Sequence, residues 1–479
     1  MSHRFLSIFV AVIVPVGLLT VSISSDAPTA TRPYFAALGS PTLPFVPKQE
    51  FLSATWFCGG VPLTEGGEGG SVTVANPGDA PLTGHITVFT DAPGVAPVEA
   101  DIEVPARGTQ TSDLAGLQPQ GSYVSAMVEI AGGGGFVEQR AGHTDGYAVS
   151  PCSNSTSSHW YFADNYTFEN SSEDLVITNP FPDPAILDIT FAGVDGSRQP
   201  QETQGLAVAG YSVAIVSEMY MPKDEAVLAT DITASRGRVV VARAQRYLGE
   251  RQGFSLTLGA PSPSPEWFFA DGEAGPDVAF ERYSIYNPND HDVTVDATVL
   301  GVSADDFVPT RSDIVPAGRV IAFLMADFEN LPEGRHFLEF STQSADGVVV
   351  ERGITRRAGE GFVTSVVFGA PQVFLGYQRW SMAIGTDMAV EGVLVVANLD
   401  AVEGTVTVKA LGPGGEVPVP GLEAVVLPAA GVVAIGIPDE AAALGVPLII
   451  VSTQRIVVER ALPRRPDLRG RSGSLALPG

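Results

Sequence analysis

The residues able to do chemistry in this 479-residue chain are few and scattered. Its six histidines, His3, His85, His143, His159, His291 and His336, form no H-x-x-x-H or H-x-H pair, and no serine sits in a G-x-S-x-G context. No catalytic residue, metal site or cofactor is expected from such a pattern. The two cysteines, Cys58 and Cys152, lack neighbouring histidines at zinc-ligand spacing and would form a disulfide in an oxidising compartment.

Three patterns remain that could bind something. The phrases HWYFAD (159–164) and EWFFADG (266–272) offer Trp160, Tyr161, Trp267 and Phe268 as stacking faces for a sugar ring, with Asp164 and Asp271 as polar contacts; closing the end of a core is the commoner role for such rings. The segments FVEQR, VVVERG and IVVERA place Glu138, then Glu351 beside Arg352, then Glu459 beside Arg460, on one recurrent strand. That repetition suggests a polar site, although cross-strand ion pairing is the simpler use. Acidic loops at 169–174 and 271–277 carry oxygen ligands suited to calcium but match no calcium-loop motif. The glycine run 132–135 has no following Gly-Lys-Ser/Thr and reads as a hairpin turn.

The frame holding these residues is repetitive. Tryptophans 56, 160, 267 and 380 are spaced by 104, 107 and 113 residues, and each is followed by a corner asparagine, Asn76, Asn179, Asn287 or Asn398, 18 to 20 positions later. Then come VPARG, VAGYS, VPAGR and LPAAG, and after them the late strand already mentioned, written VVARAQR in the second copy. A Gly/Pro phrase closes each copy. Within a copy the period is two: VTVDATVL alternates Val293, Val295, Ala297 and Val299 with Thr294, Asp296 and Thr298. Runs near Trp267, Arg282, Val293, Arg319, Phe337, Val348 and Thr364 give seven or eight strands per hundred residues, which predicts a β-sandwich. Helix is expected only in short turns such as 439–445. The expected organisation is therefore all-β, with Ig-like or jelly-roll-like sandwiches over 53–157, 158–265, 266–378 and 379–479.

Acidic residues outnumber basic ones 54 to 27, so nucleic acid is not an expected partner. Nearly all the positive charge is arginine, a usage that suits a GC-rich bacterial genome. Residues 1–25 read as a signal anchor, with Arg4 ahead of an uncharged run from Phe5 to Ser25, and 26–52 as an extended tether rich in Pro, Ala and Thr. Export with the bulk of the chain extracytoplasmic is the expectation, with signal cleavage and secretion as the alternative.

The order of Trp, Ala-acid-Gly, Asn corner, V-P-A and late V-V-V-E strand resembles the β-sandwich of the sensory-rhodopsin transducer family. It also resembles the W-Y-F-A-E-G repeats of an uncharacterised actinobacterial extracytoplasmic family, over residues 53–479. The element is Ala270-Asp271-Gly272 in the third copy and Ala163-Asp164-Asn165 in the second. It is read as Cys58-Gly59-Gly60 in the first and Ala383-Ile384-Gly385 in the fourth. Because transducer-like proteins are symmetric tetramers, the resemblance implies that the four copies close into one pseudo-fourfold ring, a monomer with internal pseudo-symmetry; a beaded rod is the competing arrangement. The expected role is non-catalytic: a scaffold for an envelope protein, or an array binding cell-wall glycan.

Overall fold

The computed structural model describes residues 42–48, 50–302, 308–358, 361–384, 393–437, 445–461 and 473–479. The expected anchor, the tether as far as Pro41 and nearly all of the short helical turn expected at 439–445 lie outside them. Among the described residues no helix is long and apolar enough to cross a membrane.

The first copy shows how the period-two pattern becomes a sandwich. Its strands are β1 (Ser53–Pro62), β2 (Gly67–Asn76), β3 (Leu82–Thr90), β4 (Val98–Val104), β5 (Gly108–Asp113), β6 (Tyr123–Ala131), β7 (Phe136–His143) and β8 (Gly146–Pro151). They form two antiparallel sheets, in the orders β1-β6-β3-β4 and β5-β2-β7-β8. Val72, Val74, Ile86, Val88, Val128 and Val137 fill the space between them. The remaining three copies repeat this plan, each with two antiparallel sheets of four to six strands. In the third, the alternation of VTVDATVL holds: Val293, Val295, Ala297 and Val299 are buried. The eighth strand of that copy, Arg311–Val315, has mostly exposed residues and lies at a sheet edge, so it carries little apolar pattern to be read.

The recurrent marks are packing partners. Each corner asparagine is buried, accepts the N–H two residues on, and donates to the carbonyl four residues on and to the V-P-A segment some 30 residues later. Asn287, for example, donates to His291 O at 2.8 Å and Val315 O at 2.9 Å. Asn76, Asn179 and Asn398 do the same. This is the expected turn-capping role, extended to lock the corner onto the neighbouring sheet. Trp160, Trp267 and Trp380 each donate their indole N–H to the carbonyl that precedes or begins the late strand: Val239 O, Val348 O and Ile456 O at 2.8 to 3.0 Å. In these copies a mark cannot drift without stranding a buried polar group, which favours a constant spacing; Trp56 is the exception, its Nε1 being buried with no hydrogen-bond partner among the described residues.

The four sandwiches close into a ring. Their closing strands, β8, Gly253–Leu258, Gly361–Phe368 and Ser474–Leu475, touch in cyclic order and line one small apolar pocket on the axis, of about 50 Å³. The ring arrangement, not the rod, is the one observed. The tether reading fails for its last part. Leu43, Pro44 and Pro47 are buried against the ring, because apolar and proline residues there find a groove between the last and first sandwiches.

Cys58 and Cys152 are joined, the disulfide expected from the sequence, and no free cysteine remains among the described residues.

Candidate functional site

The polar residues flagged on the late strands meet at the junctions between sandwiches. There, the entry strand of one sandwich lies against the late strand of the next. At the junction of the second with the third, Glu351 accepts the backbone N–H of Ala163 at 2.6 Å and of Asp164 at 2.8 Å. It also takes both terminal nitrogens of Arg243, at 2.8 and 3.2 Å. At the next junction Glu459 accepts Ala270 N at 2.6 Å and Arg352 Nη2 at 2.8 Å. The ring closes on itself where Glu138 of the first sandwich accepts Ile384 N at 2.7 Å and Arg460 Nη2 at 3.3 Å from the fourth. The rule is that the arginine of one sandwich pairs with the glutamate of the next, around the ring. Simple cross-strand pairing within one sheet, the expectation from sequence, is not what these late-strand residues do: Glu351 and Arg352 are neighbours in sequence but serve opposite junctions.

One junction breaks the rule in both halves at once. The first sandwich has Gln139 where the others carry arginine, and the second has Ala242 where the others carry glutamate. Gln139 turns back to accept Gly60 N at 3.1 Å within its own sandwich. The entry strand then approaches so closely that a Cβ on Gly59 would stand 2.3 Å from the Ala242 Cβ, and only glycine fits. By register, Gly59 and Gly60 occupy the places of Ala163 and Asp164. The alignment of Cys58-Gly59-Gly60 with Ala-acid-Gly is thus one residue out, because Cys58 answers to Phe162 and Phe269.

Asp164 and Asp271 are likewise junction residues. Asp164 is fully buried, bound by Arg282 and by Ser284 Oγ at 2.8 Å from the third sandwich. Burial alone would raise its carboxyl, but Arg282, Arg251, Ser284 and Arg243 together hold it below the ordinary aspartate range. Asp271 is held within its own sandwich by Arg335 at 2.5 Å and Arg356 at 2.7 Å. Burial pushes it up, and Arg356, Arg352 and Arg335 outweigh that and keep it low. The glutamates go the other way. Burial raises Glu351 against the pull of Arg243, and raises Glu459 against that of Arg352. None of these acids faces solvent, and no group of three or more His, Cys, Asp or Glu able to hold a metal occurs among the described residues.

The stacking platform is absent as well. Trp160 and Trp267 are each 1% exposed, and Tyr161 and Phe268 are buried. They are candidate ligand-facing residues by sequence because aromatics next to an acid suit sugars; their rings instead pack inside the ring, Tyr161 against Tyr286 of the third sandwich, Trp267 against Phe368 and Phe268 against Phe337, where removing apolar area from water stabilises them. Sequence reasoning missed Arg243, Gln139, Arg251, Arg282 and Arg356. Setting VVARAQR in register with VVVERG would have placed Arg243 in the position of Arg352.

Burial also pushes the Glu173 carboxyl up to about 8, with Arg243 opposing and Glu351 adding to the rise; Asn165 Nδ2 donates to it at 2.6 Å. A carboxyl raised in the fold binds its proton more tightly there than in the unfolded chain. Its contribution is therefore complete below the ordinary value near 4.5 and is lost as pH rises towards 8. Thermal stability should fall between about pH 4.5 and 8, on the order of a few kcal/mol at most from this group. Glu173→Gln should flatten that limb in melts across the range; an unchanged slope would show that Glu173 does not titrate there.

A model of a family of unknown function (DUF5719) matches residues 135–361, from the late strand of the first sandwich to that of the third. No curated protein matches. Among solved structures, one titled "Crystal Structure of Thermotoga maritima 1070" is 13% identical, with a TM-score of 0.21, over 23% of this chain and 96% of its own. A tetra-tandem repeat from the extending region of a large adhesion protein is 14% identical, with a TM-score of 0.11, over 84% of this chain and 92% of its own.

Proposed function

We propose that the protein is a non-catalytic binding scaffold of the bacterial cell envelope, held to the membrane through residues 1–25 with the rest of the chain extracytoplasmic. The observation that carries the reading is that the candidate acids and aromatics are spent inside the ring. What the outside offers is sheet edges such as β4, Arg311–Val315 and Gly415–Pro418, which carry exposed side chains such as Asp101, Asp313 and Val417. An exposed edge recognises an extended segment of another protein by backbone pairing. The disulfide suits an oxidising compartment, and the acidic surface disfavours nucleic acid. The Lys-poor, Arg-rich composition supports a GC-rich bacterial source, and the aromatic-Ala-Asp phrases at 160–164 and 267–271 carry the resemblance to the actinobacterial family and to the transducer sandwich. The runner-up, cell-wall glycan binding, is weakened because the aromatics named for it, Trp160, Tyr161, Trp267 and Phe268, are buried.

The test is retention of the purified full chain on isolated cell-wall glycan and, in parallel, on solubilised envelope proteins, with acrylamide quenching of its tryptophans. A defined, saturable protein partner and weak quenching are expected. Saturable glycan retention, lost on Trp160→Ala or Trp267→Ala, would replace the scaffold reading with the lectin-like one.

A further inference from the structure

Of the four junctions, the one that joins the last sandwich to the first is crossed by an additional strand of chain, residues 42–48, with the sequence TLPFVPK. Leu43 and Pro44 enter the axial pocket among Pro151, Leu258, Phe368 and Leu475. The segment then runs outward along the seam, touching both sides. Val46 N donates to Pro478 O of the fourth sandwich at 2.8 Å, Asn154 Nδ2 of the first donates to Phe45 O at 2.8 Å, and Gly134 N donates to Pro47 O at 3.1 Å. Asn154 is itself 6% exposed.

Both walls are cut to admit this backbone. A Cβ on Gly133 would stand 2.0 Å from the Lys48 carbonyl oxygen, and one on Gly479 would stand 2.8 Å from the Val46 Cβ. Gly132 N donates to Leu52 O at 2.8 Å as the chain leaves the groove. The glycine run 132–135 is therefore more than the hairpin turn between β6 and β7. The same hairpin in the second and third sandwiches, which receive no such strand, reads ASRGR and SADG. The prolines suit the site: Pro44 and Pro47 present no N–H that a buried groove would have to satisfy, and their fixed φ keeps the segment extended before it binds.

We propose that the seam between the fourth and first sandwiches is a binding groove for an extended, apolar, proline-punctuated peptide, filled in this chain by residues 42–48, which thereby clasp the ring shut. The clasp adds to a thinly held seam: of the three buried charge pairs, Arg460 with Glu138 is the longest at 3.3 Å, and among the described residues no aspartate network like that of Asp164 or Asp271 surrounds it.

The experiment uses the full chain carrying Leu43→Asp and Val46→Asp, and a fluorescein-labelled peptide TLPFVPK. The altered protein should bind the peptide saturably at one site, at least roughly tenfold more tightly than wild type, whose groove is occupied. Hydrogen exchange at 136–143 and 456–461 should quicken roughly tenfold and recover on adding peptide. Asn154→Ala in the same background should weaken that binding. Gly133→Ala alone, which leaves the segment intact but takes its space, should quicken the same amides without creating a peptide site, and keeps the test open should the double variant not fold. Unchanged exchange in Gly133→Ala, or a folded double variant that ignores the peptide, would overturn the proposal.

Discussion

Glu351→Ala is expected to destabilise the ring by about 3–5 kcal/mol, and Arg243→Gln combined with Glu351→Ala to return at least half of that loss. Both side chains are wholly buried. With Glu351 gone, Arg243 hydrogen-bonds only to neutral groups, Asn165 Oδ1 at 3.2 Å and Thr257 Oγ1 at 3.4 Å, with Asp164 and Glu173 acting on it only at longer range, and the N–H groups of Ala163 and Asp164 lose their acceptor. A charge taken out of water without a directly bonded counter-charge is among the costliest defects a fold can carry. The intact pair, by contrast, is close to break-even, since each ion lost its hydration to form it. Removing both charges therefore costs less than removing one. The protein already contains the answer at its first junction, where Gln139 and Ala242 stand in for arginine and glutamate. In the double variant the glutamine introduced in place of Arg243 would reach Asp164 N as Gln139 reaches Gly60 N. Shifts in urea midpoint for wild type, both single variants and the double give the coupling energy directly; about 2 kcal/mol or more is expected. Single variants within about 1 kcal/mol of wild type would mean that the pair is not desolvated as described.

That cycle separates what the sequence shows from what it hides. The marks are legible because each is a local violation of the β pattern: a tryptophan opening a strand, an asparagine at a corner, a charged pair in an apolar run. Their spacing yields the sandwich and the copy number. The partnerships are not legible, because they join residues far apart in the chain, such as Ala163 with Glu351 or Glu138 with Arg460, across faces that no periodicity reports. Glu351 and Arg352, adjacent and opposite in charge, look like one site. Successive strand residues point to opposite faces, so they are two halves of two different sites. The aromatic phrases mislead for a related reason. Trp160 and Trp267 beside Asp164 and Asp271 have the composition of a sugar site, and composition does not say which side of the sheet is wet.

The groove at the seam illustrates the limit from the other direction. Four glycines in a row read as a turn, which they are, yet a turn does not need four. Gly132 and Gly134 take the positive φ of the turn and Gly135 faces Leu82 and Ile130, whereas Gly133 is explained by the clasp, the Lys48 carbonyl oxygen lying 2.0 Å from where its Cβ would be. Likewise Gly59 looks like a lapse from the Ala-acid-Gly pattern until Ala242 is seen beneath it. Departures from a repeat that occur in pairs, Gly59 with Ala242 or Gln139 with the missing glutamate, mark a contact better than the recurrent positions do.

The disulfide is the clearest such departure, and its removal should be costly in a separable way. Cys58 follows the entry tryptophan by two residues, and Cys152 lies just past the closing strand. The equivalent positions hold Phe162 over Gly259 in the second sandwich and Phe269 over Gly369 in the third, where a glycine Cβ would meet the phenyl ring at 2.8 to 2.9 Å. The fourth has Met382 and Ala476 there. Each copy fills one gap between entry and closing strands with a large residue against a small one, and the first fills it with two sulfurs. Cys58→Ala with Cys152→Ala should therefore lose two things. The crosslink spans 94 residues, and its loss frees unfolded-chain entropy worth about 4.5 kcal/mol in the chain-entropy model. The small side chains also leave a gap in the core, at about 1 to 2 kcal/mol. Cys58→Phe with Cys152→Gly imports the neighbours' solution and should recover the second part but not the first. Thermal unfolding of the three proteins, with the wild type also measured after reduction, resolves the two contributions. If the Phe/Gly variant is no more stable than the Ala/Ala one, the four positions are not interchangeable and the equivalence drawn between the sandwiches fails at this point.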